Sequence, residues 1–326
     1  MRKIILLSLI TLLVAATALT QSNTTPRTER NDPVAPSANL VTLHVIATDR
    51  NGHYVEGLSP DQFEIYDNNV KQEITHFASD DSAASIGIVY EVNENDTAQL
   101  SGVLNALKQF VSTLDRDDDF FFVAFNKRGS VTTGAIPSPA EILDYLQFVS
   151  IGDPFSLYDG IYFASQRLER SSNLKKVLLV ISDAKGNTNK SSYQNFRNRL
   201  KRLNAQIYII SFTTPIADDV VSWSFEDVTR TGGNRSFLLD ADTGIGRLVL
   251  EEMSRASGGS YFPNAESESE LAGICTQIMI EFRRQYSFGF YSNVTDGSNW
   301  HALRVHLHDS ERRVYALSYR DGYARE

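Results

Sequence analysis

Between Ser85 and about Gln285 the hydrophobic pattern switches period repeatedly. Short apolar runs bounded by polar or turn residues predict strands over 86–91, 120–125, 130–133, 177–182, 207–212 and 260–262. Between them, apolar positions recur at helical spacing. Leu100, Val103, Leu104, Leu107, Phe110, Val111 and Leu114 form one stripe. Further helices are predicted over 139–149, 157–170, 192–203, 246–256 and 269–284. Strands alternating with helices call for a mostly parallel sheet covered on both faces, an α/β fold.

The flanks read differently. Residues 40–47 are β-prone, Asp49-Arg50-Asn51-Gly52 supplies turn chemistry, and residues 63–66 alternate before the turn Asp67-Asn68-Asn69. Residues 70–77 alternate again and predict one strand. After the helical region, strands are predicted over 286–291, 302–308 and 314–319, with Asp296-Gly297-Ser298 as a turn. About three strands per flank are too few for either to be stable alone. The two flanks are therefore expected to combine into one small β-sandwich-like domain, with the α/β region inserted between them. The expected division is 1–18, 19–38, 39–80, 81–285 and 286–326.

The first 18 residues fall outside this fold. Met1-Arg2-Lys3 is basic, residues 4–16 are apolar but short for a membrane span, and Ala16-Thr17-Ala18 offers small residues for cleavage. This predicts a signal peptide cut after Ala18, hence a secreted or periplasmic protein with no membrane insertion after cleavage. Residues 21–38 are polar, carry Pro26, Pro33 and Pro36, and read as a flexible linker. The 326-residue chain has a net charge of -9, which speaks against a nucleic-acid partner. Its one cysteine, Cys275, can form no internal disulfide and lies in the helical pattern of Leu271, Ile274 and Ile278, as a core residue would.

Candidate chemistry concentrates where the run Ile86-Gly87-Ile88-Val89-Tyr90 ends in Glu91, Asn93 and Asn95, three oxygen-bearing side chains at alternate positions. A buried strand opening into a polar loop before a helix is where open α/β sheets bind ligands. This E-x-N-x-N stretch resembles the D-x-S-x-S metal-ion-dependent adhesion motif of von Willebrand factor type A domains. The flanks add to the likeness. Thr48-Asp49, Val55-Glu56-Gly57-Leu58, Asp61-Gln62-Phe63 and Gln72-Glu73-Ile74, with Trp300-His301 and Asp321-Gly322-Tyr323-Ala324, look like a bacterial family of von Willebrand A-related proteins abundant in acidobacteria.

The resemblance implies a doubly wound, six-stranded, mostly parallel sheet and an ion site built from three loops. In the second loop, usually G-G-T-x-L-Y-D, this chain has Gly152-Asp153-Pro154-Phe155-Ser156-Leu157-Tyr158-Asp159, so Phe155 stands in place of threonine. The third loop, Ile181-Ser182-Asp183-Ala184, keeps its aspartate as Asp183. The implied ligand rim is Glu91, Asn93, Asn95, Phe155, Ser156 and Asp183, with Glu91, Asn93, Asn95 and Asp183 as the candidate metal ligands. Mg²⁺ requires close, near-octahedral oxygens; a longer carboxylate, two amides and a phenyl ring degrade that geometry, and Ca²⁺ would tolerate the change better. No cofactor is therefore expected, and a metal-independent protein partner is the expected ligand. A divalent-cation-dependent adhesion module and a structural component of an envelope assembly are the alternatives.

Other features suggest less. All six histidines lie in the flanks, which weighs against a hydrolytic histidine in the α/β region and hence against an enzyme. His306 and His308 share a strand face near His301, where a solvated face is expected in preference to a zinc site. Asp115, Asp117, Asp118 and Asp119 are expected to form a solvated connection. Lys190, Arg197, Arg199, Lys201 and Arg202 make a basic helix face, a second candidate for docking.

Overall fold

The computed structural model describes residues 40–79, 82–93, 97–126, 128–148, 156–173, 175–182, 205–212, 245–263, 265, 267–308 and 315–324. The expected signal peptide and linker, the helix over 192–203 and the basic helix face lie outside the described residues.

The N-terminal segment contributes β1 (Leu40–Thr48), β2 (Phe63–Asp67), β3 (Val70–Gln72) and β4 (His76–Ser79). The middle of the chain runs β5 (Ala84–Glu91), α1 (Thr97–Ser112), β6 (Asp119–Asn126), β7 (Gly129–Thr133), α2 (Pro139–Phe148), α3 (Leu157–Glu169), β8 (Lys175–Ser182), β9 (Gln206–Ser211), α4 (Ile245–Ser257), β10 (Tyr261–Phe262) and α5 (Glu268–Arg283). The C-terminal segment adds β11 (Tyr286–Tyr291), β12 (Trp300–Leu307), β13 (Ala316–Ser318) and β14 (Gly322–Ala324).

The central sheet has six strands in the order β10-β9-β8-β5-β6-β7. Its pairs are parallel except β6 with the edge strand β7. Counted from β5, this is the doubly wound order 3-2-1-4-5-6. The period of two along β5 explains why helices cover both faces. Ile86, Ile88 and Tyr90 point to one side, into a cluster with Leu100, Val103, Leu104 and Leu107 of α1, Ile142 of α2, and Leu271, Cys275 and Ile278 of α5. Val89 points to the other side, with Leu157, Ile161 and Leu168 of α3 and Leu250 and Met253 of α4. The mostly parallel α/β sheet is thus as the pattern predicts, and Cys275 is a core residue at 2% exposure.

Strands from the two flanks interleave. One four-stranded sheet runs β13-β1-β11-β4 and another β14-β12-β2-β3. The pairing of β1 with β11 is antiparallel from Leu40↔Tyr291 to Val45↔Tyr286, and β12 pairs antiparallel with β2 from Leu303↔Asp67 to Leu307↔Phe63. Inward residues of both sheets share one apolar cluster, including Leu43, Val45, Phe63, Ile65, Tyr286, Phe288, Phe290 and Val305. Phe63 lies 4.8 Å from Phe288 and 5.3 Å from Tyr286, ring to ring, as aromatic core pairs do. The chain leaves β4 for the central sheet and re-enters at β11, and there Ser79 is the pairing partner of Tyr286.

Two expectations need correction. Residues 70–77 are not one strand: β3 pairs with β2 and β4 with β11, in different sheets. The break falls at Thr75, whose amide and hydroxyl both donate to the Gly289 carbonyl. The two-residue turn Asn68-Asn69 before it has positive φ at both positions, 45° and 66°, which asparagine accepts more readily than other non-glycine residues. The acidic connection is not fully solvated. The Asp118 side chain is 0% exposed, accepts from the amides of Ala84 and Asp115, and pairs with Arg283. The face of β12 that carries His306 and His308 is exposed, as expected, and His301 lies on the opposite face. His308 pairs with Glu64 and His306 packs edge-on against Tyr66, whereas His301 is buried at 1% exposure against Asp67.

Candidate functional site

The strand order places a switch point between β5 and β8. From β5 the chain crosses through α1 to β6 on one side, while β8 lies on the other. Connections diverge there, at the carboxyl ends of the strands, where doubly wound sheets take ligands. Glu91 is the last residue of β5 and Ser182 the last of β8. The Ser182 hydroxyl donates to the Glu91 carboxylate across this point.

A third oxygen extends the row. Ser182 is the register partner of Ser211, the last residue of β9. Both serines are 0% exposed. Three adjacent parallel strands, β5, β8 and β9, thus end in a carboxylate and two hydroxyls. The backbone fixes these ends firmly. Beyond Glu91 the Val92 amide donates to the Phe125 carbonyl at 2.8 Å, so strand geometry continues past the sheet edge. Val92 is buried at 5% exposure, which keeps Glu91 and Asn93 on the opposite parity, both half-buried at the rim. On β9 the Ser211 carbonyl accepts from the Ala265 amide at 3.1 Å.

Ser156 does a different job from the other rim residues. It is the N-cap of α3: its hydroxyl accepts from the Asp159 amide at 3.3 Å and donates to the Asp159 carboxylate at 2.7 Å. The Asp159 carboxylate reaches back to the Ser156 amide at 3.0 Å, completing a capping box. The Ser156 oxygen is thereby turned toward its own helix, and the residue is 5% exposed. Of the sequence-predicted rim, Glu91, Asn93 and Ser156 are among the described residues, while Asn95, Phe155 and Asp183 lie outside them.

Ser182 and Ser211 were missed by reasoning from sequence. The signal was present in both cases: each is the hydroxyl that ends an apolar strand run, Val-Leu-Leu-Val-Ile-Ser and Ile-Tyr-Ile-Ile-Ser. A carboxylate beside two hydroxyls is an oxygen-only donor set. It suits a hard cation, or hydrogen-bond donors of a protein ligand, and it lacks the thiolate and imidazole that softer metals prefer.

No protein-family model and no curated protein matches the chain. Among solved structures, the chain is similar to a von Willebrand factor type A protein from Catenulispora acidiphila, with 8% identity over 80% of this chain and 72% of that one and a TM-score of 0.41. It is similar to the conserved hypothetical protein BatB from Bacteroides thetaiotaomicron, with 14% identity over 61% of this chain and 98% of that one and a TM-score of 0.39. A third similarity is to an aerotolerance-related membrane protein from Bacteroides fragilis, with 13% identity over 61% of this chain, 98% of that one, and a TM-score of 0.38. The doubly wound order of the sheet stands on this chain's own strand pairing, with a carboxylate and two hydroxyls at its switch point.

Proposed function

We propose that this is an exported, non-catalytic protein-binding module of the von Willebrand factor type A kind, which engages its partner through the rim at the carboxyl ends of β5, β8 and β9. The single observation carrying this reading is the Glu91–Ser182 contact at the switch point, extended by Ser211. Asn93 borders this row, and Asn95, Phe155 and Asp183 are assigned to the same rim from their sequence positions. Phe155 would supply the aromatic anchor that protein interfaces favour. The two terminal sheets are read as one β-sandwich-like support for the central domain.

Export is inferred from the basic start, apolar run and small-residue site within residues 1–18. Among the described residues no helix is long and apolar enough to cross a membrane. The non-catalytic reading draws on the histidines. All six lie in the terminal segments, and His301 and His44 are tied to Asp67 and Ser287 in the β-sheets.

Metal-independent contact is preferred, because Phe155 replaces a threonine oxygen in the implied ligand set. The oxygen-only row favours one second reading, a divalent-cation-dependent adhesion module, in which Glu91, Asn93, Asn95 and Asp183 would hold Ca²⁺ or Mg²⁺. A pull-down with the mature chain, with and without chelator, separates the two. Capture unaffected by chelator but weakened by Glu91→Ala supports the first reading. Capture abolished by chelator, together with calorimetric Mg²⁺ binding that disappears in Asp183→Ala, supports the second. Capture indifferent to both treatments removes the rim from the function.

A further inference from the structure

The outer face of the β2–β12 pair gathers two imidazoles and a carboxylate. His306 is exposed on β12, and His308 follows at the strand's end, also exposed. Side chains two apart on a strand share a face and lie about 7 Å from each other. The His308 amide donates to the Gln62 carbonyl at 2.6 Å, which carries the pairing past Leu307 and holds His308 in strand register. Glu64 of β2 is the register partner of His306. Directly opposed Cβ atoms lie about 5 Å apart, and diagonal ones about 7–8 Å. Glu64 thus stands opposite one histidine and diagonal to the other, at the third corner of a small triangle. Two histidines on a solvated strand face make no site alone. The pairing of an N-terminal strand with a C-terminal one supplies the third ligand.

The carboxylate is already held in place. Its Oε1 is paired with Lys71 of β3. Its Oε2 accepts from the Tyr66 hydroxyl at 2.9 Å and meets His308 Nε2 at 3.1 Å. A nitrogen and an oxygen bound to one tetrahedral zinc, each at about 2.0–2.1 Å, stand about 3.3 Å apart. The Glu64–His308 spacing is close to this, so an ion can take the position of the proton between them. Lys71 then stays on Oε1 and orients the carboxylate, as partners behind metal ligands do. His306 is the part that must move. Its ring leans edge-on against Tyr66, with centroids 5.4 Å apart, and among the described residues no three His, Cys, Asp or Glu side chains already converge. Closure needs a new staggered rotamer at His306 and release of the Tyr66 hydroxyl from Oε2, both at the surface.

We propose that Glu64, His306 and His308 form a binding site for Zn²⁺, in which the ion ties β2 to β12 and so joins the two terminal segments. Two imidazoles and one carboxylate are a ligand set that zinc takes, with water in the fourth position. Imidazole also sets this site apart from the rim, whose oxygen-only row suits hard cations. The site draws on neither the rim nor its partner.

Calorimetric titration of the mature chain with Zn²⁺ alone tests this in wild type, Glu64→Gln, His306→Ala, His308→Ala and the rim variant Asp183→Ala. Expected is a single Zn²⁺ per chain in wild type and in Asp183→Ala, with affinity about tenfold or more weaker in each of the other three. Wild-type chain that binds no Zn²⁺ overturns the proposal. So does affinity unchanged in Glu64→Gln or in either histidine variant, and so does binding that is lost in Asp183→Ala. Should a variant fail to fold, nitrogen NMR of the wild-type imidazoles decides. Equimolar Zn²⁺ should shift the His306 and His308 signals and leave those of the exposed His53 and His76 in place. Shifts confined to His53 or His76, or no shifts at all, overturn the site.

Discussion

The Asp67 carboxylate and the His301 imidazole meet at 2.8 Å with exposures of 0% and 1%. Asp67 ends β2 in the N-terminal segment, whereas His301 lies on β12, more than two hundred residues later. The second carboxylate oxygen accepts from Ser292 at 2.6 Å and from Tyr323 at 2.7 Å, and the Tyr323 ring stacks on His301 at 4.9 Å. One buried carboxylate thus gathers three donors from the C-terminal segment. Replacing it by alanine would leave those donors without an acceptor. Asp67→Ala is expected to cost about 3 kcal/mol or more in urea unfolding. A loss below about 1 kcal/mol would show that water replaces the carboxylate at little cost.

Deleting residues 286–326 should unfold the N-terminal strands. β11 lies between β1 and β4, and β12 lies between β14 and β2, so the C-terminal segment supplies an interior strand to each terminal sheet. Hydrogen exchange of the truncated chain would show residues 40–79 unprotected while the central domain keeps its protection. Protected N-terminal strands after the deletion would mean that they close on themselves.

Gly87 is in the middle of β5, and a Cβ there would sit 2.9 Å from Phe121 Cζ and 3.0 Å from Leu178 Cδ1. Flanking strands have filled the space that its missing side chain leaves. Gly87→Ala should therefore destabilise by about 1–3 kcal/mol, despite alanine's lower backbone entropy cost. Unchanged thermal stability would mean that Phe121 and Leu178 repack freely.

Burial pushes the Cys275 thiol up to about 12. A thiol raised in this way contributes stability below its unfolded value, near 9, and that contribution is lost as pH climbs toward about 12. Cys275→Ala should therefore lose less stability than wild type across that alkaline window. At about pH 8 the native thiol should resist alkylation until denaturant is added, since only the thiolate reacts. Fast labelling of native protein would contradict the buried placement.

Much of the fold could be read in advance because each central strand is buried on both faces and so reads as an unbroken apolar run. Strand β8 was expected at 177–182 and spans Lys175–Ser182; helix α3 was expected at 157–170 and spans Leu157–Glu169. Strand β14 was missed because Gly322, Tyr323 and Ala324 are too short a run to carry a period. The Asp67 network was hidden by residue type rather than by pattern. Asp67 reads as turn chemistry beside Asn68 and Asn69, yet it shares parity with Phe63 and Ile65, the buried face of β2. His301 likewise shares parity with Leu303 and Val305. Parity of two along a strand outranked the usual preference of these residues for the surface. Of the proposed rim, the positions of Glu91 and Asn93 at a strand end are legible from the apolar run that precedes them. Ser156 is assigned to the rim from the resemblance; in the structure it caps α3, a role that depends on the Asp159 carboxylate reaching back to it. The hydroxyl row of Ser182 and Ser211 needs the sheet register, which no single stretch of sequence contains.

The pairing of Ser79 with Tyr286 has a mechanical consequence. The central domain leaves and rejoins the terminal sheets at one point, like a loop of rope tied off at its base. Tension drawn through the chain ends first meets Leu40 of β1 on one side and Ala324 of β14, the partner of Trp300, on the other. It must strip β14 and β2 from β12, and β13 and β11 from β1, before load passes into the loop at Ser79 and Tyr286. Until then the rim bears no tension. Force–extension records from a single chain held at its ends should accordingly show a short release from the terminal strands, then a long one from the central domain. The reverse order would mean that load enters the central sheet by another route.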